Sequence, residues 1–327
     1  MIVDKNGAHK LAVLNPYKSV DKLLEPDFDK YFVGIKNVSS IPNTLMHKLE
    51  KDGFSLHTID KKSTLAGRAV DTDLYNPITG HYMSGSSSGT AINVFAGIND
   101  LGIGNDGGGS VLAPAMCLNI TGFISKLIEE DWNISLRPNT DGIVAGNSIG
   151  FMVRDREILK KAIKSSINIE PDYKNVMVYS DKEYLDINSK VVELKDANED
   201  RNILVPYLLD LLKECDVLML TEGPVDLYGF GDSLFGHFDS RTKSIQKQAG
   251  KGYLRVCNIA NATALCLPQK ELGMATLLIC ESKKEKIAKL VGLMDKIEDI
   301  HDELIERYFL DYSSYFNEGY KIWKHIR

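Results

Sequence analysis

Residues 84–117 read S-G-S-S-S-G-T-A-I-N-V-F-A-G-I-N-D-L-G-I-G-N-D-G-G-G-S-V-L-A-P-A-M-C. Two glycine-serine clusters flank an apolar stretch, Thr90 to Ile98, that reads as a buried helix, and a short strand, Leu101 to Ile103. Glycine reaches backbone conformations closed to other residues and lets successive N–H groups converge on one point. The N–H groups of Gly107, Gly108, Gly109 and Ser110 are therefore candidates for holding a developing oxyanion, a large term in acyl-transfer catalysis. A serine closing such a run, Ser110, is placed to act as nucleophile. Ser87 and Asp106, in the same two clusters, complete the candidate substrate-binding set.

Outward from this segment the chain alternates helices and strands. Residues 41–52 place Leu45, Met46 and Leu49 at helical spacing before Gly53, and Phe54 to Ile59 reads as a strand. Asp60 to Ser88 is polar and loop-like. Arg154 to Ser165 and Ile203 to Glu214 read as amphipathic helices. Asp216 to Leu220, Leu254 to Leu267 and Met274 to Cys280 are apolar runs of the kind found in buried strands, and Lys283 to Phe309 reads as one long charged helix. The aromatic tail from Asp311 to Arg327 is expected to pack as an added terminal helix. The pattern predicts a single α/β layered domain over 1–327, with a mixed central sheet covered by helices. Its core runs over about 30–295 and its helical tail over about 296–327.

Composition narrows the function classes. The chain has 327 residues, 39 basic against 45 acidic, and a net charge of −6, with no basic block of the sort that tracks phosphates. No nucleic acid partner is expected. The charged N-terminus, Met1 to Leu14, is no secretory signal, and no apolar run approaches the ~20 residues that span a bilayer. The five cysteines form no C-x-x-C pair, and all but Cys257 sit in apolar runs, so a reducing cytoplasm is expected. The seven histidines lack metal-ligand spacing; His237 and Asp239 are candidates for touching substrate.

The two clusters resemble those of the amidase signature family, in which G-S-S-G-G-S-A precedes G-T-D-T-G-G-S-I-R-x-P-A. Here the first is Gly85 to Ala91 and the second Gly104 to Ala115. The resemblance extends in order from roughly residue 30 to 295. Phe32 to Asn37 is similar to the strand that supplies the family's lysine, and Asn76-Pro77 to its N-P. Asn139 to Gly142 resembles the D-T-x-G-P turn, Cys215 to Leu218 the C/A-D-V-L strand, and Asn258 to Pro268 the A-N-x-x-G-x-P stretch. It implies Ser110 as nucleophile, with Ser86, on an unusual cis peptide, relaying its proton to Lys36. Lys61 and Lys62 are the alternatives for the base.

The chain departs from the pattern as well. Leu112 stands for an arginine, Gly107 for a threonine, and most N-terminal helices and the long insertion before Cys215 are missing. The resemblance implies a shortened member, and removing walls predicts a shallow, open site better suited to a peptide-like or partner-presented amide than to a small one.

Lysine can serve as base only when neutral, so burial or a positive neighbour must depress its pKa. No metal or organic cofactor is implied. The resemblance implies an amidohydrolase; the rivals are an amidotransferase-type subunit passing ammonia to a partner, and a non-catalytic binding or scaffold protein. Two further motifs compete. Gly102 to Gly107 fits G-x-G-x-x-G, but glycines and Pro114 follow where a dinucleotide site needs a helix. Gly231-Asp232-Ser233-Leu234 spells G-D-S-L but lacks a D-x-x-H partner, and is expected to be a loop near the substrate pocket.

Overall fold

The computed structural model describes residues 4–63, 68–129 and 136–316. Its strands are β1 (Val20–Leu23), β2 (Tyr31–Lys36), β3 (Phe54–Asp60), β4 (Leu101–Asp106), β5 (Thr121–Ser125), β6 (Arg137–Pro138), β7 (Val144–Ala145), β8 (Ser148–Val153), β9 (Val178–Ser180), β10 (Ser189–Val191), β11 (Val217–Glu222), β12 (Ala262–Pro268) and β13 (Ala275–Glu281). Eleven of them join one sheet in the order β1-β3-β2-β4-β8-β5-β12-β13-β11-β9-β10, while β6 and β7 form a separate ribbon. Pairing is parallel for β2 with β3 and β4, and for β9 with β10 and β11; the other neighbours run antiparallel. The sheet is mixed, as the alternating pattern predicts.

The helices are α1 (Lys5–Leu14), α2 (Asn43–Lys51), α3 (Ser88–Phe95), α4 (Leu112–Met116), α5 (Arg156–Ile167), α6 (Arg201–Glu214), α7 (Ser240–Lys247), α8 (Leu254–Cys257), α9 (Lys284–Met294) and α10 (Glu303–Phe309). One face of the sheet carries α3, α4, α6 and α8, which bury Ile92, Leu112, Leu204, Leu208 and Leu254. The opposite face carries α2, α5 and α9, with Leu45, Leu49, Leu159, Ile163, Ile287 and Leu290. The central strands are covered on both sides, which is why their sequences read as continuous apolar runs rather than alternating ones. Leu45, Met46 and Leu49 of α2 are all buried, as their spacing predicts.

Two expected elements are divided. Leu254 to Leu267 is not one strand: α8 occupies its first four residues and β12 begins only at Ala262. The buried Glu222 carboxylate accepts the N–H groups of Gly252 at 2.8 Å and Leu254 at 3.1 Å, which satisfies the donors at the start of a helical turn. The long helix over Lys283 to Phe309 is broken between Met294 and Glu303. Arg156 donates to the carbonyls of Met294, Ile297 and Glu298, taking the acceptors a continuing helix needs, and Asp302 then caps α10 through the N–H groups of Leu304 and Ile305.

Of the tail expected as a terminal helix, the described residues form a single 3-10 turn at Tyr312–Tyr315. Tyr312 donates to the carbonyl of Gly97 at 2.7 Å, and Tyr315 meets Tyr17. Tyr320 and Trp323 lie outside the described residues. No described helix is long and apolar enough to cross a membrane.

Candidate active site

Parallel pairing of β2 with β4, with Ile35 opposite Ile103, ends the two strands side by side. Lys36, Asn105 and Asp106 therefore collect at one sheet edge, the end at which α/β sheets place ligands. Lys36 is only 3% exposed. Its ammonium nitrogen donates to Ser86 Oγ at 2.6 Å and to Asn105 Oδ1 at 2.6 Å. Burial is the main force lowering its pKa, to about 7; Lys62 pushes the same way and the Asp106 charge opposes both. Lys61 instead pairs with Asp73 at 2.9 Å and Asp71 at 3.6 Å. Of the three candidate lysines, Lys36 is the one bonded to Ser86.

The serine clusters meet across short backbone contacts. Ser87 donates its N–H to the carbonyl of Ser110 at 3.3 Å. Ser84 is tied to the buried Asp226 through both its N–H, at 2.6 Å, and its hydroxyl, and Asp226 also takes the N–H of Gly231. These bonds fix the first cluster against the loop that carries G-D-S-L. Gly85 turns the chain into Ser86 at φ +100, where any side chain would strike Pro114. The expected cis peptide at Ser86 is not found: the cis bond among the described residues is Gly223–Pro224, and Gly85 makes the turn with a trans peptide.

The second cluster is organised by Asp106. Its fully buried carboxylate accepts the N–H groups of Gly109 at 2.7 Å, Val111 at 2.7 Å and Leu112 at 3.4 Å. Burial pushes its pKa up against these bonds and against Lys36. Gly109, at φ +103, thus spends its N–H on Asp106 and not on a substrate oxygen. The N–H groups of Gly107, Gly108 and Ser110 have no acceptor among the described residues. Asp106 itself does not line the cleft, so it braces the loop and is not a substrate contact as expected. Ser87 is likewise buried, its hydroxyl turned toward Gly104 without a partner. Of the expected site residues, Ser110, Ser86, Gly107, Gly108 and Gly109 line one cleft of about 840 Å³. Lys36 lies behind Ser86. Ser110 Oγ has no hydrogen-bond partner among the described residues.

The serines open onto a broad cleft. The β6–β7 ribbon region at 138–147 and the segment 231–247, which ends in α7, flank the serines, with the start of α6 beside them. The competing motifs resolve in the same region. Gly102 to Asp106 is strand, with no helix opening at Gly107. Ser233 lies on the cleft wall, but Asp232 is buried and held by Arg68 at 2.7 Å, an anchor and not part of a catalytic pair. His237 reaches Asp141 at 3.3 Å, and Asp141 also pairs with Arg201. Burial pushes Asp141 up, but Arg201 and His237 outweigh it and hold the carboxyl below its usual range. Asn105 and Arg201 were not anticipated from the sequence. Asn105 lies inside the second cluster, one residue before Asp106; Arg201 carries no local signal.

Comparison with known proteins agrees with this geometry. The Amidase family model matches residues 72–128, the stretch that holds both clusters. A glutamyl-tRNA(Gln) amidotransferase subunit of Methanosphaera stadtmanae is 32% identical over 80 residues, 23% of this chain and 18% of that protein. Its counterpart in Methanothermobacter thermautotrophicus is 34% identical over 79 residues, 23% of this chain and 17% of that protein. These matches span less than a fifth of the curated relatives' length. Among solved structures, a crystal structure of amidase superposes with a TM-score of 0.61 at 14% identity, covering 88% of this chain and 93% of that one. A 6-aminohexanoate cyclic dimer hydrolase complexed with its substrate gives 0.60 at 12% identity, covering 90% and 93%. Residues 72–128 match the Amidase family model, and the chain as a whole shares the fold of these solved enzymes.

Proposed function

We propose that the chain cleaves a carboxamide C–N bond through an acyl-enzyme on Ser110, with Ser86 and Lys36 moving the protons. The observation that carries this reading is a buried lysine bonded to Ser86, which opens onto the same cleft as Ser110. Ser110 Oγ adds to the amide carbonyl carbon; its proton passes to Ser86 as Ser86 gives its own to neutral Lys36. The carbonyl electrons move to oxygen, where the free N–H groups of Gly107, Gly108 and Ser110 stand. Collapse breaks the C–N bond, and the proton returns from Lys36 through Ser86 to the departing nitrogen. Water then repeats the sequence on the ester, releasing the acid. Catalytic contacts that are open in a free enzyme close when substrate is bound.

A pKa near 7 supports the assignment of Lys36, since an ordinary lysine is protonated and useless as a base at neutral pH. Ser110→Ala and Lys36→Ala, assayed by ammonia or amine release over a panel of primary amides, peptide amides and esters, test the proposal. Each is expected to lower kcat/KM by at least about a thousandfold, with Lys36→Ala hurting amides more than esters because an amine must be protonated to leave. Near-normal amide turnover by Ser110→Ala sinks the reading.

A second reading, in which released ammonia passes to an acceptor held by a partner, draws on the 80-residue similarity to an amidotransferase subunit. Amide turnover by the isolated chain with one equivalent of free ammonia favours hydrolysis; turnover only with an added acceptor favours transfer. A cytoplasmic setting fits the five free, buried cysteines.

A further inference from the structure

We infer that the cleft takes an amide bearing a carboxylate, and that Arg201 is the residue that holds it; this rests on the hydrolase reading above. The first observation is the sign of the charge. The chain as a whole is acidic, at −6. Yet Arg68, Arg201, Lys243, Lys247, Lys251 and Arg255 line the cleft against Asp141, Asp200 and Asp239 alone. Setting Arg68 against Asp232 and Arg201 against Asp141 leaves four cations facing two carboxylates, and Asp239 is already engaged in capping α7. Lys251 and Arg255 bond to carbonyl oxygens, of Gly231 for the lysine and of Ala197, Glu199 and Gly252 for the arginine. Those contacts satisfy N–H groups without cancelling charge, but the buried Asp226 and Asp106 offset Lys251, whose pKa burial lowers, and Glu222 offsets Arg255. The positive excess in the cleft therefore rests chiefly on Lys243 and Lys247.

The second observation is the state of Arg201. Its side chain is 11% exposed and one terminal nitrogen is committed to Asp141. Its Nε is shut off from solvent with no acceptor. Its other terminal nitrogen lies 3.5 Å from the point a Gly108 side chain would occupy, two residues before Ser110. Nε is closed to ligand as it is to solvent, so the donor left for a bound anion is the terminal nitrogen facing Gly108, where a charge-assisted bond is strong. Asp141, itself held by His237, fixes the plane of the group, so little ordering remains to be done on binding. An amide lying on Ser110 with a carboxylate a few bonds from its carbonyl carbon meets Arg201 at one end and the serine at the other.

The test uses two probes of the same length, succinamate and butyramide. Binding to the Ser110→Ala protein is measured by calorimetry, and kcat/KM is measured on the native enzyme. The expected result is at least about tenfold tighter binding of succinamate, a loss of that preference in Arg201→Gln, and partial recovery in Arg201→Lys. For the native enzyme the preference shows in KM more than in kcat. Raising salt from about 20 to about 300 mM shortens the screening length roughly fourfold. It is expected to weaken succinamate and leave butyramide unchanged, and this arm needs no variant to fold. Equal binding of the two probes, or a succinamate preference untouched by both salt and Arg201→Gln, overturns the inference. Preferred binding of succinamate without turnover of any amide keeps the carboxylate site and removes the hydrolase reading; efficient turnover with no preference does the reverse.

Discussion

At the residue scale the account turns on a lysine that must be neutral. Lys36 is held at about 7 against an ordinary value of 10.5, so the rate is expected to rise with pH along a limb centred near 7. The same shift has a stability consequence. Between about 7 and 10.5 the unfolded chain binds a proton at this position that the folded chain does not, so stability from this residue rises with pH across that window. Lys36→Met should therefore flatten the dependence of Tm on pH between about 7 and 10.5, in part only, because Lys126 and Lys251 are also depressed by burial. An unchanged slope contradicts a deprotonated, buried Lys36. The lysine was legible because it closes the apolar run Phe32 to Ile35, where a solvated residue has no reason to sit. Arg201 was not, since its environment is built by Asp141 and Gly108, 60 and 93 positions away by the numbering.

At the element scale, the second glycine cluster is a loop wrapped round one carboxylate. Asp106→Asn keeps the shape but replaces an acceptor with a donor opposed to backbone N–H groups, a cost of about 1–3 kcal/mol for each buried group left unsatisfied. The variant should lose most activity. Its remaining pH limb should move to lower pH, because the Asp106 charge favours protonated Lys36; a limb displaced upward refutes that coupling. Gly109→Ala forces a side chain to a φ of +103 and into Leu254, and should destabilise by about 2 kcal/mol or more in a denaturant titration. A neutral effect argues against this loop geometry.

The two glycine clusters, α2, α3 and the strands β3, β4, β11 and β13 could be read from periodicity and glycine placement, which are local; β5 and β8, at the centre of the sheet, were not read. The break in α9–α10 and the turn of α8 could not. They are decided by Arg156 and Glu222, whose side chains satisfy backbone groups far along the chain. The demotion of Ser87 and Asp106 from the cleft to the loop's interior has the same origin: sequence shows that a polar residue is near a site, and only packing shows which way it faces.

For the whole molecule, the site stands at the end of one eleven-stranded sheet, while α1 and the turn at Tyr312–Tyr315 pack on Ala96 and Ile98, beyond the C-terminal end of α3, whose first turn carries the first serine cluster. Tyr312 bonds to the carbonyl of Gly97 and neighbours Gly7, closing α1 and the tail on the body of the protein. Tyr312→Ala should cost about 2 kcal/mol, less than a fully buried aromatic, and lower Tm without changing the reactivity of Ser110. Loss of reactivity in that folded variant would tie the tail to the site. The order of motifs made the α/β sheet and the resemblance to amidases legible in the sequence. The walls of the cleft were not, because their basic residues come from α6, α7, α8 and the segments around Arg68 and Lys251, which meet only in space.

The central claim is that Ser110 is a nucleophile activated through Ser86 and Lys36, and covalent labelling tests it most directly. The folded protein is incubated with a fluorophosphonate at a pH about one unit above the Lys36 value, and the adduct is counted on the intact chain and located by peptide mass spectrometry. The account predicts one adduct, on Ser110, absent from Ser110→Ala and formed far more slowly by Lys36→Ala. An unlabelled protein, or an adduct on Ser233, contradicts it.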